Sequence, residues 1–392
     1  MLKKRYLQIK IEQDLKDKMV FVGGPRQVGK TTLSRLIGEE KFSPFVYLNW
    51  DSPEDKKTIL SSSFDREAKL IIFDEIHKYH KWKNYIKGQF DKYKERFSII
   101  VTGSARLDLY KKGGDSMVGR YYYFRLHPFS LAELLFPEVA NLEPFSEPNF
   151  KENKESFSNF QKLLSFGGFP ESFLKEDKEV WRRWHNQRVE RIVKEDIRDI
   201  ENVKNLSLLQ VLINELPARV GSLLSLNSLR EDLEVAYGTV KLWIDVLERF
   251  YYHYRIYPYT AKTIRSLKKE SKLYLWDWSQ VPNEGAKLEN MVGSHLLKLC
   301  HYLYDAKGHK AELFYLRDIE QREVDFLVTI DKKPWMAVEV KNANHKVSKS
   351  LKYFREKLKI PFCYQMTTEK EIDLLHDNIR LMSVDKFLSG LI

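Results

Sequence analysis

Only two of the 392 residues are cysteine, Cys300 and Cys363. They lie far apart and form no metal-ligand spacing, which excludes a disulfide-stapled secreted module and suits a reducing cytosol. Long apolar runs are missing as well. No stretch approaches the ~20 residues that span a bilayer. The positive start Met1-Leu2-Lys3-Lys4-Arg5 has no apolar core behind it, so neither a membrane span nor a signal peptide is expected, and the chain reads as cytoplasmic. There is no internal repeat and no low-complexity tract. Acidic residues are outnumbered: 66 Lys and Arg against 55 Asp and Glu give a net charge of +11. That balance favours a polyanion such as nucleic acid as partner, or reflects no more than a lysine-rich surface. A hydrophobic content of 43% is that of a globular protein, and the length exceeds one ordinary core, so two to four domains are expected.

What is present begins with Gly24-Pro25-Arg26-Gln27-Val28-Gly29-Lys30-Thr31, a complete G-x-x-x-x-G-K-[ST] phosphate-binding loop. An apolar run, Met19 to Val22, precedes it and a helix-like stretch containing Thr32 follows. A buried strand thus aims the loop, and a helix N-terminus presents unpaired N–H groups to phosphate oxygens. Lys30 can reach the β- and γ-phosphates of ATP, and Thr31 can ligate Mg2+. Short apolar runs recur at 45–48, 70–73, 99–101 and 121–126, separated by segments of helical composition. This rhythm predicts an α/β fold, a parallel sheet with helices on both faces and ligands at the carboxyl ends of the strands. The run Leu70 to Phe73 ends in Asp74-Glu75, where Asp74 suits the magnesium shell and Glu75 suits the attacking water. After Ile99-Ile100-Val101, Thr102 or Ser104 can sense the γ-phosphate. Arg120 is the first candidate for an arginine finger, in cis or from a neighbouring subunit, with Arg106 and Arg125 as competitors.

These elements, with Gly119-Arg120 and Leu126-His127-Pro128-Phe129-Ser130, resemble the prokaryotic AAA-type P-loop ATPases that carry a C-terminal domain of long-unassigned function. Gly167-Gly168-Phe169-Pro170-Glu171, Leu288-Glu289-Asn290 and Glu323-Val324-Asp325 extend the resemblance over nearly the whole chain. It implies an AAA core, a winged-helix-like middle and an α/β end like a restriction endonuclease. It also makes a homo-oligomeric ring plausible, since AAA-type sites often lie between subunits. The expected divisions are 1–135 for the ATPase core, 136–205 for a linker and helical region, 206–280 for the winged-helix-like module and 281–392 for the nuclease-like domain.

In that last segment, 322–328 and 335–341 are strand-like runs joined by a turn at 331–334. A hairpin centred near Lys332 sets Asp325 opposite Glu339, on one face, with Lys341 two residues further on. Two carboxylates and a lysine in this D…(D/E)-x-K pattern can hold magnesium against a phosphodiester and stabilise developing charge. The same trio can equally be a surface ion pair or a binding module that does not cut. Glu289 looks like the additional acid of the resembled family, and Gln365, just after the strand-like run 361–364, is a further candidate for the same neighbourhood. For DNA, the basic run Lys262, Arg265, Lys268, Lys269 and Lys272, together with Lys241 on a candidate recognition helix, offers phosphate contacts. The sequence therefore reads as a Mg2+-dependent ATPase coupled to DNA. A metal-dependent nuclease regulated by ATP and a scaffold ATPase acting on a protein partner are the alternatives.

Overall fold

The computed structural model describes residues 4–103, 117–140, 142–193, 205–260, 270–341 and 346–392. The chain forms two units, Met1–His127 and Pro128–Ile392, taken here one at a time.

The first unit opens with helix α1 (Gln8–Asp14) and then alternates: β1 (Met19–Gly23), α2 (Lys30–Lys41), β2 (Phe45–Asn49), α3 (Pro53–Ser61), β3 (Leu70–Asp74), α4 (Trp82–Tyr93), β4 (Ser98–Thr102) and β5 (Tyr121–Arg125). All five strands are parallel, in the order β2-β3-β4-β1-β5. The reason is legible in the residues. β1, β3 and β4 are continuous apolar runs, the signature of strands buried on both faces. Phe21, Phe73 and Val101 pack with Trp82 and Ile86 of α4 on one face. The order places β4 between β1 and β3, so Thr102 is level with Val22 on one side and Asp74 on the other. The carboxyl ends of the three strands thereby meet.

In the second unit the helices Ser156–Phe166, Pro170–Lys175, Lys178–Arg191, Leu206–Glu215, Leu226–Asp232 and Tyr237–Arg249 precede an eight-stranded mixed sheet. Its strands are β6 (His253–Pro258), β7 (Lys272–Leu275), β8 (Ala311–Arg317), β9 (Glu323–Ile330), β10 (Lys333–Val340), β11 (Phe362–Thr367), β12 (Asp373–His376) and β13 (Ile379–Ser383). Their order is β12-β13-β11-β10-β9-β8-β6-β7. The aromatic strand β6 falls within the expected winged-helix-like segment 206–280, yet it pairs antiparallel with β7 and parallel with β8 and so belongs to this sheet. A 24-residue helix, Glu284–Lys307, starts at the Asn283 cap and ends at left-handed Gly308.

The β9–β10 turn is tighter than the sequence reading. Asp331 and Lys332 both have positive φ, as a two-residue I′ turn requires. Lys333 then faces Ile330, and an irregularity between Pro334 and Met336 shifts the ladder so that Val338 faces Phe326. The next pair in that register is Glu339 and Asp325. The shift restores the pairing that a hairpin centred on Lys332 predicts. Among the described residues, no helix is long and apolar enough to cross a membrane.

Candidate nucleotide site and C-terminal carboxylate cluster

The phosphate loop leaves β1 at Gly24, whose φ is +131 and whose hypothetical Cβ would lie 2.4 Å from the Leu126 carbonyl oxygen. Only glycine fits there. Gly29, also left-handed, starts α2. Lys30 is buried, and its Nζ donates to the carbonyls of Gly24 (3.0 Å) and Pro25 (2.7 Å). Its ammonium thus lies over the loop, where phosphate charge would be received. From the first turn of α2, Thr31 Oγ1 donates to Asp74 Oδ2 at 2.8 Å. Thr102 donates to the other oxygen of Asp74, and the Tyr47 hydroxyl donates to Oδ2 at 2.6 Å. Asp74 is buried and held by three hydroxyls. A hydroxyl beside a carboxylate is the hard-oxygen donor set that magnesium takes, so Thr31 and Asp74 fit an ion brought with a nucleotide.

Glu75 sits just past β3 with a left-handed backbone, φ +56 and ψ +18, a conformation costly for a non-glycine residue and common at functional sites. Its N–H is fixed by the Thr102 carbonyl at 3.0 Å. Burial raises the Glu75 carboxyl above its ordinary value; Lys30 opposes that rise and Asp74 adds to it. His77 Nε2 is 3.3 Å from Glu75 Oε2.

Sequence reasoning misses Tyr47 and Arg5. Tyr47 is a polar ring in the short strand β2, stacked under the Arg35 guanidinium at 3.9 Å. A hydroxyl on the strand flanking β3 was the available signal. Removing one hydrogen bond to a charged group costs about 1.5–3 kcal/mol. Tyr47→Phe is therefore expected to raise the Mg2+ concentration for half-maximal ATPase by about tenfold, read from magnesium titrations at saturating ATP. Arg5 is buried and donates to the carbonyls of Val28 (2.7 Å) and His127 (2.5 Å). It ties the phosphate loop to the chain after β5, a contact no local pattern announces.

Arg120 lies at the amino end of β5, since Met19 faces Tyr121 and Gly23 faces Arg125. The phosphate loop leaves the carboxyl end, roughly 16 Å along the strand at 3.3 Å per residue. Arg120 also pairs with Asp91 at 2.7 Å. Service to its own site is thereby corrected: only the role in trans remains for it. Arg125 stands at the loop's end of the sheet. Ser104, Arg106, Lys262, Arg265, Lys268 and Lys269 lie outside the described residues.

In the second unit the Asp325–Glu339 face gathers more than the expected trio. Asp325 Oδ2 accepts the Val340 N–H at 2.8 Å, Glu339 pairs with Lys341 at 2.7 Å, and Gln365 is level with Glu339 on β11. Glu289, from the long helix, accepts the Tyr274 hydroxyl at 2.7 Å. Gly221, with φ +77, lets the backbone approach Glu289 Oε2, 3.3 Å from where a Cβ would stand. A cavity of about 440 Å³ bordered by Gly221, Ser222, Gly285, Glu289 and Lys341 opens beside them.

Lys272 is the unexpected member. Read from sequence as a phosphate grip, it is 3% exposed, with its ammonium 2.6 Å from Glu323, 3.5 Å from Glu289 and 4.0 Å from Asp325. Burial alone would lower its pKa, but Glu289, Asp325 and Glu323 outweigh burial and hold it charged. Burial pushes both Glu289 and Glu339 up, and the Asp325 charge pushes them further. The test for a metal here goes against a resident ion. An ammonium already sits among three of the acids, and the described residues contain no group of three or more His, Cys, Asp or Glu placed to hold a metal. Ser348 stands beside the Glu339 carboxyl. Lys241 is exposed on Tyr237–Arg249.

Comparison with known proteins agrees with the first unit's geometry. Residues 16–135 match an AAA domain family, while 157–281 and 284–387 match two domains of unknown function, DUF8612 and DUF4143. The uncharacterized protein MJ1544 of Methanocaldococcus jannaschii is 25% identical over 359 residues, 85% of this chain and 76% of the relative. The uncharacterized protein Rv2008c of Mycobacterium tuberculosis is 22% identical over 351 residues, 85% and 73% of the two chains. Among solved structures, a RuvB variant of Thermotoga maritima aligns at 16% identity and a TM-score of 0.31, covering 67% of this chain and 92% of its own. A signal transduction ATPase with numerous domains from Pyrococcus horikoshii reaches 12% and 0.23, covering 76% and 47%. Those two scores are too low to carry an argument. Through residues 16–135 the chain carries an AAA-type P-loop ATPase domain.

Proposed function

We propose that this protein is a Mg2+-dependent ATPase whose ATP cycle is coupled to binding or remodelling DNA, with branched or single-stranded forms as the candidate substrates. The observation that carries the reading is the meeting of Lys30, Thr31, Asp74 and Glu75 at one end of a parallel sheet. The loop N–H groups and Lys30 hold the phosphates. Thr31 and Asp74 would hold the magnesium ion, whose charge offsets that of the phosphates. Glu75 orients the attacking water and accepts its proton. Ser104 remains the proposed γ-phosphate sensor, and Arg120 a finger given to a neighbouring copy in a ring.

The net charge of +11 and the exposed Lys241 support the DNA half, with the C-terminal sheet as a nuclease-like module that binds the polyanion. Lys262, Arg265, Lys268 and Lys269 remain proposed phosphate contacts on the strength of the sequence alone. The decisive measurement is ATPase rate with and without single-stranded, duplex and branched DNA at low salt. Stimulation by one form is expected. Absence of DNA binding, with hydrolysis indifferent to every form, would sink the coupling and leave a protein partner. Lys30→Ala is expected to weaken ATP binding at least about tenfold, since it removes a charge-assisted phosphate contact; titration with a fluorescent ATP analogue reads it.

A further inference from the structure

We propose that helix α4 and the turn leading into it, Lys78 to Arg96, form the surface on which the ATPase unit receives the phosphate backbone of DNA. The inference rests on the coupled-ATPase reading and deepens it, by naming where DNA meets the unit that hydrolyses. Seven of these residues are lysine or arginine and two are acidic, Asp91 and Glu95. That is a net charge of +5 in one short stretch, against +11 for the whole chain.

The helix spends its apolar side on the sheet. Trp82 and Ile86 are buried in the core and Phe90 packs against it. At about 100° per residue, Lys83, Lys87 and Lys94 then follow one edge of the helix and Lys81 and Lys92 the other. Between the two edges Asn84, Gly88 and Asp91 are exposed. Asp91 does little to offset the lysines, because Arg120 already holds it, from Nε at 2.7 Å and from Nη2 at 3.3 Å. Lys78 pairs with Asp51 at 2.6 Å and Lys94 with Glu95 at 3.9 Å. Lys81, Lys87 and Lys92 have no ion-pair partner among the described residues. Like charges crowded along one helix repel one another, and a polyanion relieves them.

The rest of the surface selects the kind of polyanion. A protein partner needs large apolar or aromatic anchors at the centre of its footprint. Among the described residues, the exposed large hydrophobic side chains include none between 78 and 96. A membrane surface needs the apolar side of the helix itself, and here that side faces the core. What is left is point-charge contact with phosphates, which lysines make without reading bases. The surface is also joined to the chemistry. Glu75 leads straight into the turn Ile76–Lys78, and backbone hydrogen bonds carry that turn into α4. The Lys78 N–H donates to the Glu75 carbonyl at 3.1 Å, Tyr79 to Ile76 at 2.9 Å and Trp82 to Tyr79 at 3.0 Å. A load on the lysines therefore bears on Glu75.

The test uses the full chain with Lys81, Lys87 and Lys92 changed together to Gln. The same exchange at Lys16, Lys41 and Lys69, exposed elsewhere on this unit, controls for bulk charge. Fluorescence anisotropy with labelled duplex and single-stranded oligonucleotides is read across a salt series, beside ATPase rates and melting temperatures. The α4 variant should keep its basal ATPase and melting temperature. It should lose at least about tenfold in DNA affinity, its salt slope should fall by about three, and DNA stimulation should fall in step. The control should keep the natural slope, and so should Lys→Arg at the three α4 positions. An α4 variant with natural affinity and slope would overturn the proposal; the coupled-ATPase reading survives that result if DNA still stimulates hydrolysis. An equal loss in the control, or weak binding by the arginine variant, would overturn it too. If the α4 variant loses affinity for polyglutamate but not for DNA, the surface belongs to an acidic protein and the proposal fails. A natural protein that binds neither oligonucleotide sinks this proposal together with the reading it rests on.

Discussion

Glu75→Gln is expected to bind ATP about as tightly as the natural protein and to turn it over about a thousandfold more slowly, the range for loss of a positioned general base. The exchange keeps the size of the side chain and removes only its capacity to take a proton. Lys30, Thr31 and Asp74, which contact the phosphates and the ion in the proposed mechanism, are left intact, so affinity and turnover separate. A fall in affinity equal to the fall in rate would instead make Glu75 a ligand. The same variant carries a stability signature with a definite sign. Burial raises the Glu75 carboxyl above its ordinary 4.5, so the folded state holds this proton more tightly than the unfolded chain. That contribution is fully present below 4.5 and is lost as pH rises through the higher folded value. Near neutrality the ionised carboxylate therefore works against folding. Glu75→Gln should melt at a higher temperature than the natural protein at pH 7, with the difference shrinking towards about pH 4. An unchanged difference across that range would mean that Glu75 is well solvated.

Most of the first site was legible because its parts are local. A glycine loop between an apolar strand and a helix has few other uses, and Asp74-Glu75 at the end of a buried strand needs only the parallel topology to become a partner for Thr31. The hairpin that sets Asp325 against Glu339 was legible for a similar reason: a two-residue period survives even a shifted turn. What escaped detection depends on contacts distant in sequence. Lys272 lies in a basic run and reads as a phosphate grip, yet the β6–β7 pairing carries it into a carboxylate cluster built 17 to 53 residues later. Tyr47 and Arg5 reach their partners across 27 and up to 122 residues. Arg120 was misplaced for its own site because a strand's polarity decides which end of the sheet a residue occupies, and spacing alone does not show it.

The segment Leu126-His127-Pro128-Phe129-Ser130 carries a resemblance in sequence but no evident chemistry, and the second unit supplies the physical reason for its latter half. Lys298, in the middle of Glu284–Lys307, donates to the Ser130 hydroxyl at 2.8 Å, the Pro128 carbonyl at 3.3 Å and Glu133 Oε2 at 2.7 Å. The side chains of Lys298 and Glu133 are each 2% exposed. One helical turn away, His295 accepts the Leu131 N–H on Nε2 and donates from Nδ1 to the Met291 carbonyl. Burial lowers its pKa to about 3, so it stays neutral and keeps that tautomer. The stretch is a lock made of one buried ion pair and one neutral imidazole. Glu133→Ala is therefore expected to destabilise the protein by roughly 3–5 kcal/mol, because it removes a buried carboxylate that compensates the buried ammonium of Lys298. Replacing both partners, Glu133→Leu with Lys298→Met, should recover most of the loss, since two apolar side chains of similar volume need no compensation. Urea denaturation of the three proteins measures this. A cost below about 1 kcal/mol for Glu133→Ala would mean that the pair behaves like a surface salt bridge, and the lock would then have to rest on His295 and Ser130.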